Sequence, residues 1–345
     1  MKTRIAVVGV GLIGQRHARA ILNCAQASLA AIVDPSETGS QIAHHHGVPY
    51  YASLGELLAT GDAQGVILAT PNQMHVEHAL ACIRAGIPVL VEKPLAVDAQ
   101  GALQVVRASS DKEVPVLTGH HRRHNPLVAR ARQVIDSGDL GDITAIQATT
   151  WFYKPDDYFD VEWRRRTGAG PVYINLIHDV DMLRHLCGEV QHVFAMESSL
   201  TRGYEVEDTA VITLQFDNGA LGTLTVSDTI VSPWSWELTA RENPVYPVTS
   251  ESCYQIGGTK ASLSLPNLAL WHHPNKKSWW EPISSTRLKQ EFDDPLICQI
   301  MQFVAVINGE QAPLVSAWDG YQNQLVIEAV KQSAATGLAV RMSSG

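Results

Sequence analysis

The sequence contains no apolar run of the ~18 residues that a membrane-spanning helix needs, and no apolar leader followed by a cleavage pattern. Both absences exclude a membrane protein of the helical kind, and the chain is expected to work in the cytoplasm. It has no CxxC pair. Its five cysteines, at 24, 82, 187, 253 and 298, stand singly and are odd in number, which argues for reduced thiols against a disulfide framework or a zinc site. A long basic run is missing too: 26 bases face 35 acids, for a net charge of −9. Nucleic acid and anionic membrane reward basic clusters, so neither is expected as a partner. The run His44-His45-His46 and the pair Asn72/His75 lack metal-ligand spacing, and no metal is expected. Internal repeats and low-complexity tracts are absent.

What remains is an ordinary globular composition, 45% hydrophobic and 18% charged, spread over 345 residues. That length exceeds one ordinary core and fits two domains. In the first third, short apolar runs at Arg4–Val8, Leu29–Val33, Gly65–Ala69, Val89–Val91 and Val114–Leu117 alternate with helical patterns such as Gln15–Asn23 and Val76–Ala85. Continuous Val/Ile/Leu/Ala runs alternating with helices are the pattern of a parallel sheet covered on both faces. The sheet is expected to end near Gly119–Arg123.

After about residue 143 the runs lengthen. Ile143–Trp151, Val193–Leu200, Thr209–Phe216, Ala220–Ser227 and Ser235–Thr239 read as strands, with Asp217-Asn218-Gly219 as a hairpin turn whose glycine supplies positive φ. A helix is expected around Asn175–Leu186, stopped by Gly188, and helical character returns at Leu296–Ile307 and Tyr321–Ala335. The expected fold is α/β: an N-terminal Rossmann domain over residues 1–122 with a doubly wound parallel sheet, then an α+β domain over 123–345 with an open, mostly antiparallel sheet. The second domain would bind substrate and form the oligomer.

Gly9-Val10-Gly11-Leu12-Ile13-Gly14 is a G-x-G-x-x-G that follows a strand and opens a helix. Gly9 suits the tight turn, Gly11 the close approach of a pyrophosphate, and Gly14 the packing of helix on strand. The helix N-terminus, with Leu12 and Ile13 in its first turn, offers free N–H groups to the phosphates. Asp34 ends the second strand, twenty residues past Gly14. A carboxylate there accepts the adenosine ribose hydroxyls and repels a 2′-phosphate, and no Arg or Lys follows closely, so NAD is expected over NADP. Ligands of such sheets bind beyond the carboxyl ends of the strands. Thr70, Pro71, Asn72 and His75 after one strand, and Glu92 and Lys93 after another, therefore join the expected cofactor site.

Taken in order, GVGLIG, ATPNQMH, VEKP, GHHRRHNP, GDLGDI and INLIHDVDMLRHL resemble the Gfo/Idh/MocA oxidoreductase family. The resemblance continues through VEDTAVITLQFDNGALGTL and IGGTKASL, covering almost the whole chain. It implies an NAD-dependent dehydrogenase acting on a hydroxyl of a sugar, polyol or cyclic diol. In the family the Lys of EKP and a His of the second domain meet at the nicotinamide, which carries over to Lys93 and His178. Imidazole, with a pKa near working pH, suits the general base, and an ammonium suits the developing alkoxide. Many family members carry Asp four residues before this His. Here Ile174 occupies that position, so the acid–base work falls on Lys93 and His178 alone. The family also implies a homo-oligomer, a dimer or a tetramer, paired through the outer face of the second-domain sheet.

Further residues are candidates for substrate contact. On a helix, Asn175, His178, Asp181 and His185 form one polar stripe, with Leu176, Val180 and Leu183 opposite, and Asp181 is placed to orient His178. Arg122 and Arg123 offer bidentate forks for a carboxylate or form a structural salt bridge. Trp163 lies in an aromatic and basic stretch with Trp151, Tyr153, Lys154, Tyr158 and Arg164–Arg166, suited to stacking on a ring or to core packing. Two other readings stay open. One is a dihydrodiol or hydroxyacid dehydrogenase that grips a carboxylate through Arg122, Arg123 and Arg164–Arg166. The other is a non-catalytic NAD-binding regulator, favoured only by Ile174.

Overall fold

A computed structural model describes residues 1–342, and residues 343–345 lie outside the described residues. In chain order the first elements are β1 (Thr3–Val8), α1 (Leu12–Asn23), β2 (Ala27–Val33), α2 (Glu37–His46), β3 (Tyr50–Tyr51), α3 (Leu54–Thr60), β4 (Gly65–Leu68), α4 (His75–Arg84), β5 (Val89–Val91), α5 (Ala99–Lys112) and β6 (Val116–Thr118). Then come α6 (Pro126–Asp136), β7 (Ile143–Trp151), α7 (Ile177–Cys187), β8 (Val190–Ser198), β9 (Thr209–Phe216), β10 (Leu221–Ser227) and α8 (Trp236–Thr239). The chain ends with β11 (Tyr254–Gly258), β12 (Ala261–Leu265), β13 (Ala269–His272), β14 (Ser284–Arg287), α9 (Pro295–Ile307), α10 (Ala317–Thr336) and β15 (Val340–Arg341).

Two compact units result. The first comprises Met1–His124 with Asp294–Gln324, and the second Asn125–Asp293 with Leu325 onward. The first unit holds a six-stranded sheet in the order β3-β2-β1-β4-β5-β6, and every pairing in it is parallel. Alternate residues of β1 enter different cores: Ala6 and Val8 pack with Leu68, Val91 and Ala102, whereas Ile5 and Val7 pack with Ile21, Ile67 and Leu90. A sheet buried on both faces needs apolar residues at successive positions, which is why these strands read as unbroken apolar runs.

The segment 294–324 belongs to this unit, whereas a boundary at 122 assigns it to the second half. The reason lies on α9. Asp294 caps the helix by accepting the Leu296 N–H, and Leu296, Ile300, Phe303, Val304 and Val306 pack into the core built by Ile5, Val7 and Ile21. A helical period shows that this face is buried, but not against what.

The second unit carries a nine-stranded sheet in the order β14-β13-β12-β11-β7-β10-β9-β8-β15. All its pairings are antiparallel except β10 with β7, so the sheet is open and mostly antiparallel as expected. Strand β9 turns into β10 at Gly219, which sits at φ +86° and donates its N–H to Phe216 O at 3.0 Å. Along β9 buried and exposed residues alternate, with Ala210, Ile212, Leu214 and Phe216 facing inward against α7 residues such as Val180 and Leu183.

Two local readings are corrected. Ser235–Thr239 is not a strand: Ser235 caps α8 by accepting the Leu238 N–H at 3.4 Å, and Thr239 Oγ1 donates back to Ser235 O at 2.7 Å. Its Trp and Leu matched a strand composition, but the Ser cap decides the local bonding. The helix expected from Asn175 begins as α7 at Ile177, preceded by one π-helical turn over Val172–Leu176. Strands β11 to β14, not expected from the sequence, complete one side of the sheet.

Candidate functional site

The first unit gathers the expected cofactor residues along one edge of its sheet, because parallel strands end on the same side. Gly9 follows β1, Asp34 follows β2, Thr70, Pro71 and Asn72 follow β4, and Glu92 and Lys93 follow β5. Gly9 N donates to Val33 O and Ala69 N to Val8 O, each at 2.8 Å, so the ladder carries on into the turns and sets their positions.

The three glycines differ in what surrounds them. Gly9 has φ +85°, and a Cβ there would lie 2.6 Å from Ala69 O. A Cβ at Gly14 would collide with Gly9 O, so both positions exclude any side chain on internal packing grounds. A Cβ at Gly11 meets nothing within 4 Å. The glycine there leaves open space beside the first turn of α1. That turn has no capping side chain and no acidic residue, and Leu12 within it is 87% exposed. Ile13 is half-buried. Open backbone N–H groups at a helix start, with room beside them, fit a pyrophosphate.

Asp34 lies against this turn. Its Oδ2 accepts Val10 N at 2.9 Å, and its Oδ1 accepts Ser36 N at 2.9 Å and Ser36 Oγ at 2.5 Å. Burial pushes the carboxyl upward in pKa, but the Ser36 and Val10 hydrogen bonds outweigh it and hold Asp34 below the ordinary Asp value. An ionised acceptor is therefore fixed where a ribose would lie.

His75 has a different part from the one its sequence position suggests. It is 1% exposed, with Nδ1 2.7 Å from Pro94 O and Nε2 2.9 Å from Thr70 O. Both ring nitrogens are engaged on backbone carbonyls, so His75 ties the turn after β4 to the turn after β5 and offers no atom to a ligand. Burial, the largest influence, lowers its pKa against the raising effect of the Pro94 and Thr70 carbonyls and of Glu92. Thr70 is half-buried, Pro71 and Asn72 are exposed, and Lys93 is half-buried at the head of a cis Lys93–Pro94 peptide.

Glu92 is buried, and its Oε1 sits 2.7 Å from Nε2 of His17, a fully buried residue of α1. Sequence reading passed over His17. The only signal was a polar residue on the otherwise apolar inner face of an amphipathic helix.

Beyond β6, Arg122 and Arg123 are buried, at 3% and 6% exposure. Arg123 Nη1 donates to Asp319 Oδ1 at 3.0 Å and to Leu314 O at 3.4 Å. Asp319 in turn accepts Ser316 N and Oγ, and Ser316 Oγ accepts Asp319 N, a reciprocal cap at the start of α10. Of the two uses open to Arg123, the structure shows the salt bridge, made inside the first unit.

In the second unit, His178, 8% exposed, is the second residue of α7. The π-helical turn ahead of it is held by Glu207, whose Oε1 accepts Val172 N at 2.9 Å and whose Oε2 accepts Lys331 Nζ at 2.8 Å. Asn175 lies in that turn, and its buried Oδ1 has no hydrogen-bond partner among the described residues. A buried, unanswered amide oxygen costs free energy unless a ligand meets it, which fits a substrate or cofactor contact.

The polar stripe on α7 is largely buried. Asp181 and Asp179 are both 0% exposed, as buried as Val180 and Leu183. Asp179, unremarked in the sequence, accepts Thr150 Oγ1 of β7 at 2.8 Å and the Tyr254 hydroxyl of β11. It pins the first turn of α7 to two strands of the sheet. Trp163 is 56% exposed on a short 3₁₀ turn, with the Arg164 guanidinium 5.7 Å from its ring centre. Among the described residues, no group of three or more His, Cys, Asp or Glu is arranged to hold a metal ion.

Residues 3–120 match the oxidoreductase family with an NAD-binding Rossmann fold, and residues 128–264 match the GFO/IDH/MocA C-terminal domain. The chain is 27% identical to inositol 2-dehydrogenase 2 of Saccharopolyspora erythraea over 347 aligned residues, covering 98% of this chain and 94% of that protein. It is 29% identical to the rhizopine catabolism protein MocA of Rhizobium meliloti over 198 residues, 57% of this chain and 61% of that protein. The WlbA dehydrogenase of Bordetella pertussis, solved with NADH and UDP-GlcNAcA, superposes with a TM-score of 0.79 at 24% identity over the full length of both chains.

Proposed function

The chain belongs to the GFO/IDH/MocA family of NAD-binding oxidoreductases, and on that premise we propose that it is an NAD-dependent dehydrogenase of a sugar, polyol or cyclic diol, with Lys93 and His178 as its catalytic pair. The observation that carries the reading is the first unit's strand-end edge, where Gly11 leaves room at a helix start, Asp34 stands ionised, and Lys93 follows in the same row. The substrate class is supported by the inositol 2-dehydrogenase relative, aligned over nearly its whole length.

Bound NAD supplies the hydride acceptor, and the chain's residues hold the substrate and move the proton. Oxidation of a secondary alcohol takes a hydride from carbon and a proton from oxygen, leaving a ketone. His178 accepts the hydroxyl proton. Lys93, as an ammonium, donates a hydrogen bond to the same oxygen as negative charge develops on it. Asn175 offers its unpartnered Oδ1 to a substrate hydroxyl. Asp34, by refusing a 2′-phosphate, favours NAD over NADP. Trp163 and Arg122 remain candidates for substrate contact. We place the enzyme in the cytoplasm as a homo-oligomer. Cys24, Cys82 and Cys187 are buried free thiols, and no helix of the described residues is long and apolar enough to cross a membrane.

The test is purified protein with NAD and with NADP against sugars, inositols, cyclic diols and hydroxyacids, followed by absorbance of the reduced nicotinamide. Turnover with NAD that falls roughly 10²–10⁴-fold in Lys93→Ala and in His178→Ala is the expected result. NAD binding with silence on every substrate would overturn it in favour of a non-catalytic regulator.

A further inference from the structure

We propose that Glu92 and His17 form a buried pair that positions Lys93, fixing the turn from which it projects and holding its amine as a cation. The proposal rests on the reading of Lys93 as catalytic, and its test reads the amine directly.

The geometry is closed around one carboxylate. Glu92 is 6% exposed and His17 0%. Oε1 of Glu92 meets His17 Nε2 at 2.7 Å, which ties the end of β5 to the helix that opens the dinucleotide turn. Oε2 accepts the backbone N–H of Lys93 at 3.1 Å, so the same carboxylate caps the residue it serves. Room for it comes from Gly119, after β6: a Cβ there would lie 3.0 Å from Glu92 Cα, Cδ and Oε1. The carboxylate is thus fixed from α1, from its own turn and from the neighbouring strand end.

The charge matters as well as the shape. Burial alone would push Glu92 upward, but the His17 hydrogen bond and the charge interactions with His17, His121 and Lys93 bring it down to about 2. Glu92 is therefore ionised at every pH where the protein works. The titratable groups that face it are His17 from α1, His75 from α4, His121 from the turn after β6, and Lys93 itself. A buried, ionised carboxylate on which the Lys93 charge acts favours the ammonium in return, the form that donates a hydrogen bond to an alkoxide. Gln would keep the acceptor oxygen and nearly the same volume while removing the charge. Glu92→Gln therefore separates electrostatics from packing.

The experiment is competitive amine labelling of the full chain across pH, without cofactor, with Lys93 read by peptide mass spectrometry. In the native protein Lys93 should half-react at or above the ordinary lysine value of about 10.4. A midpoint well below that value overturns the proposal without any variant. In Glu92→Gln, shown folded by circular dichroism, the midpoint should fall by about one unit, equal to a roughly tenfold larger reactive fraction at a fixed lower pH. An unchanged midpoint overturns the proposal. His17→Gln should move it in the same direction by less. In turnover, Glu92→Gln should lower kcat with little change in KM for NAD. Lys93→Ala with undiminished turnover would instead sink the catalytic reading and leave the labelling result standing.

Discussion

Asp34 Oδ2 accepts the backbone N–H of Val10 at 2.9 Å, so the acid that ends the second strand is bonded to the glycine turn that ends the first. The two halves of the nucleotide fingerprint, 24 residues apart, are one hydrogen-bonded unit before any ligand arrives. A ligand meets a carboxylate already oriented, and less ordering entropy has to be lost on binding.

That bond makes stability depend on acid. The folded Asp34 pKa is lowered, because the Ser36 and Val10 bonds outweigh burial. An acid with a depressed folded pKa contributes its full stability above its unfolded value, about 3.9, and loses it as pH falls through the folded value. The Tm difference between native protein and Asp34→Ala should be constant above about pH 5 and shrink below about pH 4. A difference that grows on acidification would contradict the assignment.

Asp34 should also set cofactor choice. Asp34→Ala removes both the ribose acceptor and the negative charge facing a 2′-phosphate. Titration calorimetry should show NAD binding weakened by about tenfold or more, with NADP affinity unchanged or improved, so the ratio narrows from both sides.

The glycines of the turn should separate folding from binding. Gly11→Ala places its methyl in open space and should leave Tm nearly unchanged while weakening NAD binding. Gly14→Ala collides with Gly9 O and should cost several kcal/mol of stability, roughly 3 by comparison with other overpacked sites. Denaturant melts beside calorimetry for both variants check the contrast. Equal loss of stability in the two would contradict it.

Asp179 should matter to folding through its bonds to Thr150 and Tyr254. Asp179→Ala leaves two buried hydroxyls without their acceptor in the core of the second unit, at about 1–3 kcal/mol for each group left unanswered. Tyr254→Phe removes a single bond and should cost less. Urea melts rank the two.

Arg123 should prove structural. Its guanidinium is 6% exposed and paired to a half-buried Asp319, so Arg123→Ala should destabilise by roughly 2–4 kcal/mol, with the uncompensated Asp319 as the main cause. Activity per folded molecule on a neutral polyol should survive. Loss of activity at full stability would return Arg123 to the substrate site and revive the carboxylate reading.

Much of the cofactor edge was legible because it is written locally. GVGLIG lies in one turn, and the residues after β4 and β5 are placed simply by ending parallel strands. The hairpin at Gly219 was legible for the same reason. Its neighbours Asp217 and Asn218 are adjacent in the chain, and its positive φ is a property of one residue.

What the sequence determined by itself was therefore the parallel sheet, the alternating strands of the second unit, and the turn chemistry of the nucleotide edge, since each follows from a short period or a single residue's allowed backbone. Only the tertiary structure decided who bonds to whom at a distance. His17 meets Glu92 and Tyr254 meets Asp179, each across 75 residues, and Arg123 meets Asp319 across 196. The residues 294–324 join the first unit because α9 fills a core formed by β1 and α1. Asp181, on the polar stripe of its helix, is as buried as the apolar residues opposite, because α7 packs within the core of its unit on nearly every side. A period tells which residues share a face. Which partner covers that face depends on the path of the whole chain, and no local pattern records it.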